Sequence, residues 1–428
     1  MAIIDLRYGS SGLQVGLPDS AGFLGVLTPQ DRPLLSDPAR AVADSLARPI
    51  ESRPLREIAA GRSNAVIVIS DVTRPVPNRL LLPPIIAELR AAGMRDNRIS
   101  ILIATGIHRP NEGDELVGLV GEQIAGGYRI LNHFSRREDQ LVQLGTIMDT
   151  VPVSVNRHYA EADLKILTGF IEPHMWAGYS GGRKSILPGI SSLKTLEYMH
   201  GPEMIADPNV VYGKLEGNPF HEAGLQVMQT VGADFIVNVT MNTGKQLTGV
   251  YSGHPVHAHL AGCRELEPFN SAVLEQPLDF VVTTNGGSPL DVNLYQSSKG
   301  IAGVAPVVRA GGDIVIASCC NEGLGSDDFV RSMEEFRDPQ DWTARAMRRE
   351  FSYADQWCAQ EIFKWMRSRS IHLYCEGIDA QALRRYGLQP SAAIEETVCG
   401  LIEKHGRDAQ WAVVPDGPYL ILQLRGSA

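Results

Sequence analysis

Short apolar runs alternate with polar, proline-bearing turns along this chain. AVIVI at residues 65–69, ISILIA at 99–104 and LKILT at 164–168 are apolar at most positions, the pattern of strands buried on both faces of a parallel sheet. The segment after the first run, residues 70–77, carries Pro75 and Pro77 and reads as a stiff loop. Asn78 is placed to cap a helix through about residue 92, with Gly93 as its stop, and Asn111 to open a second helix that Gly121 closes. A second set of runs begins near residue 275, with DFVVTT at 279–284 and GDIVIA at 312–317. Strands alternating with helices at this spacing predict an α/β fold of two domains, residues 1–270 and 276–428. Each would hold a mainly parallel sheet flanked by helices, with the active site in the cleft between them. Residues 266–277 read as the linker, and residues 1–7 as a first strand.

The polar clusters fall directly after the strands. In open α/β sheets that edge binds ligands, so Asp71, Arg74, His108 and His174 are expected to converge there from three loops.

Length and charge narrow the classes. At 428 residues the chain exceeds what one core normally serves. Its 39 Lys and Arg against 49 Asp and Glu, a net charge of −10, argue against bulk nucleic-acid binding. No apolar run reaches membrane-spanning length, and the start lacks the pattern of a signal peptide, so the expected location is cytoplasmic. The six cysteines contain no CxxC pair and are expected to be free thiols.

Several clusters could carry chemistry. Residues 178–185, GYSGGRKS, offer glycines beside Arg183 and Lys184, but Arg183 stands where a P-loop requires glycine before its lysine. His108, His174 and His200 could supply three ligands to a zinc ion with an open position. His254, His257 and His259 lack a convincing register and read as a solvated loop, and His133, His158, His221, His372 and His405 receive no role. In the second domain Gln296 and Lys299 share a face if a helix starts at Tyr295, and Trp357 reads as core before pocket.

Taken together, Asp71-Val-Thr-Arg74-Pro75, His108-Arg109-Pro110, the stretch from Glu172-Pro173-His174 through Gly181-Gly182-Arg183-Lys184, and His200 resemble the lactate racemase family. Tyr295-Gln296 with Lys299, and Trp357, resemble that family's second-domain contributions, so the resemblance runs from about residue 5 to 420. It implies a racemase or epimerase that inverts C2 of a 2-hydroxy acid, lactate or a related 2-hydroxycarboxylate. It also implies a nickel-pincer nucleotide attached covalently to Lys184, made by accessory proteins, with His200 as the protein's nickel ligand. Asp71, Thr73, Gly181, Gly182 and Arg183 would surround that cofactor. His108 and His174 would be the paired acid/base residues, and Arg74, Tyr295, Gln296, Lys299 and Trp357 would meet the substrate. Met175-Trp176 and Ser297-Ser298 depart from the family pattern and bear on substrate size. The competing readings are a zinc hydrolase built on His108, His174 and His200, and a non-enzymatic nucleotide-binding relative.

Overall fold

Ala65–Ser70, Ile99–Ala104 and Leu164–Phe170 form strands whose apolar side chains are covered on both faces, as their unbroken hydrophobic runs require. In the computed structural model, which describes residues 2–426, they lie side by side in a six-stranded sheet. Its order is Leu247–Gly253, Phe235–Met241, Leu164–Phe170, Ala65–Ser70, Ile99–Ala104 and Arg129–Asn132. All neighbours are parallel except the edge pair of Leu247–Gly253 with Phe235–Met241. A second six-stranded sheet runs Gln389–Pro390, Ser370–Tyr374, Val308–Ala317, Leu278–Thr284, Trp411–Val414 and Phe23–Val26, parallel throughout. The fold is α/β with two parallel-dominated sheets. One buried cluster joins them, running from Val66, Leu102 and Leu167 to Val281, Leu294 and Phe363.

Three local expectations change. Phe23–Val26 pairs with Trp411–Val414, and the hairpin of Ala2–Leu6 with Leu13–Leu17 buries Ile4, Leu6, Val15 and Leu17 among Phe280, Val315, Val398 and Trp411. Residues 2–26 therefore go with the second sheet, which differs from a first unit running from residue 1 to 270. The alternating strand has one apolar face, and the second sheet is what covers it. The stretch expected as a linker contains the strand Ser271–Leu274, paired in parallel with Ile421–Leu424. Asn78 and Asn111 cap nothing. Asn78 is buried in the first turn of helix Asn78–Ala91 and donates to the carbonyl of Ser70. Asn111 lies two residues before helix Gly113–Val120 and accepts from the Val72 amide at 3.3 Å, stitching two ligand-edge loops together.

All six cysteines are free. Among the described residues no helix is long and apolar enough to cross a membrane.

Candidate active site

The strand order explains how the predicted residues meet. Ala65–Ser70 lies between Ile99–Ala104 and Leu164–Phe170. The Asp71–Arg74 loop that follows it is therefore flanked by the loop carrying His108 on one side and the segment carrying His174 on the other.

His108 Nδ1 lies 2.7 Å from Asp71 Oδ2, and Thr73 donates its hydroxyl to Asp71 Oδ1 at 2.6 Å. Burial alone would raise the Asp71 carboxyl, but the bonds from His108 and Thr73 hold it below the usual carboxylate range. An ionised carboxylate only accepts, so Nδ1 carries the proton and Nε2 remains free to exchange one. The His108 side chain is about half exposed.

His174 sits in the two-residue strand Pro173–His174, paired with Gly178–Tyr179 across a tight turn. Its Nδ1 accepts the amides of Trp176 and Ala177, both at 3.2 Å, which leaves the proton on Nε2. That Nε2 lies 3.0 Å from Lys184 Nζ. Burial, with Lys184, Arg74, Lys299 and His200 nearby, pushes the His174 imidazolium far below the ordinary range. Burial, with Arg74, Arg183 and Lys299, does the same to the Lys184 ammonium. The pair is thus a neutral imidazole donating to an amine whose protonated form is disfavoured, and a lysine in that setting is a better nucleophile.

His200 caps the end of helix Leu193–Met199, and its Nδ1 donates to the Leu196 carbonyl at 2.9 Å. Its Nε2 lone pair is consequently the free one, the form a metal-binding histidine takes when a second hydrogen bond orients it. Trp176, Phe220 and Trp357 surround the ring at centroid distances of 5.1, 5.1 and 4.9 Å. Burial pushes its pKa down to about 3, with Lys184 adding to the effect against the Leu196 carbonyl.

The second unit supplies helix Leu294–Val304, opened by Asn293, which accepts from the Gln296 amide. Lys299 Nζ donates to Gln296 Oε1 at 2.6 Å, and Trp357 Nε1 donates to the Tyr295 hydroxyl at 3.3 Å. Burial, with Arg74 close by, brings Lys299 down to about 8, which leaves it cationic at neutral pH. A cavity of 540 Å³ opens between the units, lined by Thr73, Arg74, His174 and Met175 from the first and Lys299 from the second. That is within the roughly 300–1,000 Å³ of pockets that enclose a drug-sized ligand. Lys184 lies one hydrogen bond behind His174.

Some assignments shift. Arg183 does not line this cavity. It is buried, donates to the Ala177 carbonyl at 2.6 Å, and contacts His259 Nε2 at 3.1 Å. It therefore holds the glycine turn from behind. His259, expected in a solvated loop, is buried on helix His257–Leu266 and lies 2.8 Å from the Ser180 carbonyl. At Gly182 (φ +53°) a β-carbon would come within 2.9 Å of that histidine ring, so the turn requires glycine. Asn238, a polar residue inside an apolar strand, accepts the Gly182 amide at 2.8 Å. Its placement in FIVNVTM was the signal available in the sequence. Glu172 also lines the cavity, with burial raising its carboxyl against Arg74, Lys299 and Lys184. The zinc triad is not assembled. His108, His174 and His200 face separate partners, and among the described residues no group of three or more His, Cys, Asp or Glu is arranged to hold a metal ion.

The buried histidines carry a pH signature. Burial brings His133 down to about 4 and His221 down to about 3, the level of His200. Below an unfolded value of about 6.5 the unfolded chain binds protons that the folded chain refuses, so stability falls with pH between about 6.5 and 4. The melting temperature, followed by circular dichroism from pH 7 to 4.5, is expected to drop steadily. A flat profile would contradict these environments.

Residues 8–213 match the family model of the lactate racemase N-terminal domain, and residues 273–422 that of the lactate racemase C-terminal domain. The chain is 34% identical over 427 residues to a lactate racemase of Thermoanaerobacterium thermosaccharolyticum, covering 99% of this chain and 100% of that protein. It is 33% identical over 428 residues to one of Lactiplantibacillus plantarum, with the same coverage. The structure of the T. thermosaccharolyticum lactate racemase apoprotein superposes with a TM-score of 0.91 at 33% identity, over 99% of this chain and 100% of that one. A Thermotoga maritima protein shares the fold at 18% identity, with a TM-score of 0.68 over 92% of this chain and 99% of that one.

Proposed function

This chain belongs to the lactate racemase family and is an isomerase, and we propose that it inverts C2 of lactate or a related 2-hydroxycarboxylate using a nickel-pincer nucleotide attached to Lys184. The observation that carries this reading is the Lys184 amine, 3.0 Å from His174 and over the same Phe220 ring that packs on His200, in surroundings that disfavour its ammonium form. An amine whose charge is disfavoured by burial and by Arg74, Arg183 and Lys299 suits covalent attachment better than it suits binding an anion.

The residues fit the cofactor. His200, neutral and oriented by Leu196, would be the nickel ligand, and a single imidazole suits a metal held otherwise by its own organic group. Thr73, Gly181 and Gly182 would lie along the nucleotide. When bound, this group supplies an acceptor for the hydride from C2, so that a planar 2-keto acid can be reduced on either face. No residue seen in the site can make such a group, so accessory proteins are expected to provide it.

The chain's own contribution is binding and proton transfer. Arg74 and Lys299 would hold the substrate carboxylate, Arg74 with bidentate geometry and Lys299 steered by Gln296. Tyr295 and Trp357, bonded to each other, would close the wall behind it. Inversion requires the hydroxyl proton to leave from either hand. His108 and His174 approach the central loop from its two sides and would serve as the paired acid/base residues, His108 taking a proton at its free Nε2 and His174 giving one from its Nε2. Met175 lies on the cavity wall, whereas Trp176 points behind it, so of that pair Met175 is the residue that bears on substrate size.

Cofactor-loaded protein given single enantiomers of lactate and of larger 2-hydroxy acids should abolish the circular dichroism of at least one of these substrates. Protein from a host without the accessory enzymes should be folded and inactive, and metal analysis of the active form should show nickel. Full racemisation by nickel-free protein would overturn the reading.

A further inference from the structure

Glu361 is a carboxyl group only 1% exposed, with no ion pair among the described residues. It lies on helix Gln356–Met366 of the second unit, and each of its oxygens accepts one indole N–H. Trp176 Nε1 of the first unit donates to Oε2 at 3.0 Å, and Trp365 Nε1, one turn along the same helix, donates to Oε1 at 2.7 Å. Burying a carboxyl away from cations is costly unless its oxygens are satisfied, and an indole N–H can do nothing but donate. The arrangement therefore fixes the two rings as firmly as they fix the carboxyl.

What Trp176 touches makes that fixation useful. Its ring meets His200 edge to face, 5.1 Å between centroids at 81°, and its backbone amide donates to His174 Nδ1. Its carbonyl accepts from Asn218 at 2.8 Å. The backbone is thus pinned on the first unit, and rotation of the side chain is limited by a partner on the second. Beside Glu361, Gln360 donates to the Pro202 carbonyl at 2.7 Å and Lys364 to that of Ile205 at 3.1 Å, so the helix is docked on the segment that follows His200.

We propose that Glu361 is a positioning residue that holds Trp176 across the interface between the units and, through that ring, keeps the His200 imidazole in the orientation that its Leu196 hydrogen bond selects. The helix that brings Trp357 against one side of His200 thereby also governs the ring on another side. Docking of the second unit and alignment of His200 are then one event. For catalysis the proposal rests on His200 being the metal ligand; for geometry it does not.

The test uses Glu361→Gln and Trp176→Phe. The first leaves an amide that cannot accept from both indoles, and the second keeps a ring against His200 but deletes the N–H. In cofactor-free protein with 15N-labelled histidine, both variants should move the His200 ring resonances, with the far-ultraviolet circular dichroism unchanged. In loaded enzyme both should lower kcat by about tenfold with KM nearly constant, the size expected for loss of a group that orients a metal ligand. The double variant should be no worse than the more damaging single one, since both break the same bond. His200 resonances that stay in place in both variants would overturn the proposal, as would a pure loss of melting temperature. Shifted resonances with unchanged kcat would uphold the positioning and sink the metal-ligand reading instead.

Discussion

Lys184→Met and Lys184→Arg are both expected to reduce racemisation to background while leaving the fold intact. The lysine amine lies 5.6 Å over the Phe220 ring and 3.0 Å from His174, and methionine preserves most of the stem that carries it. Arginine preserves the donor capacity but cannot become a neutral nucleophile. If Lys184 merely bound the substrate anion, arginine would retain part of the activity and methionine little. If it is the point of attachment, both fail alike. Intact mass spectrometry separates the cases independently of activity. Wild-type protein made beside the accessory enzymes should carry an added mass located on Lys184, and neither variant should carry it. A variant that still acquires the mass, or an active wild-type protein that lacks it, would refute the attachment.

Much of the site was legible because its residues follow strands directly. Asp71, Arg74, His108 and His174 could be placed at one sheet edge from the apolar runs alone, and the strand order then sets the Arg74 loop between the two histidine segments. The hydrogen-bond partners were not legible. The contact of His174 with Lys184 depends on a tight turn between Pro173–His174 and Gly178–Tyr179, whose pairing is too short for any periodic signal. Nor could composition separate His259, buried behind the glycine turn, from His257 two residues earlier, which is half exposed and near Glu51. His372 and His405 show the converse. Both meet the buried carboxylate of Asp313, with Lys404, and Asp313 enters the second sheet beside the first residue of Ser370–Tyr374, the end away from the ligand edge. A histidine's role depends on which edge of the sheet it lies near, and that requires the register. The assignment of residues 2–26 failed for a related reason. An amphipathic hairpin announces that one face will be buried, but not which sheet will bury it.

The two bases differ in surroundings, and that difference gives the sharpest expected result. His108 is held by the Asp71 carboxylate, which fixes its tautomer and faces the charge that arises when the ring takes a second proton. His174 has two backbone amides on Nδ1 and an amine on Nε2, and burial, with Lys184, Arg74 and Lys299 nearby, disfavours the charged ring. Net inversion needs both, because one must take the hydroxyl proton from one hand and the other must return it on the opposite hand. His108→Ala and His174→Ala should therefore each nearly abolish racemisation, since loss of a general base costs about 10²–10⁴-fold. Each variant should still oxidise the enantiomer served by the surviving histidine in a single turnover. Trapping the 2-keto acid with a hydrazine, for each pure enantiomer, should show opposite preferences in the two variants. Asp71→Asn should weaken the same hand as His108→Ala, less severely, because it leaves the imidazole in place with its tautomer no longer enforced. If both histidine variants lose the same hand, or if either retains full racemisation, two bases are not at work and one of these histidines only supports the other.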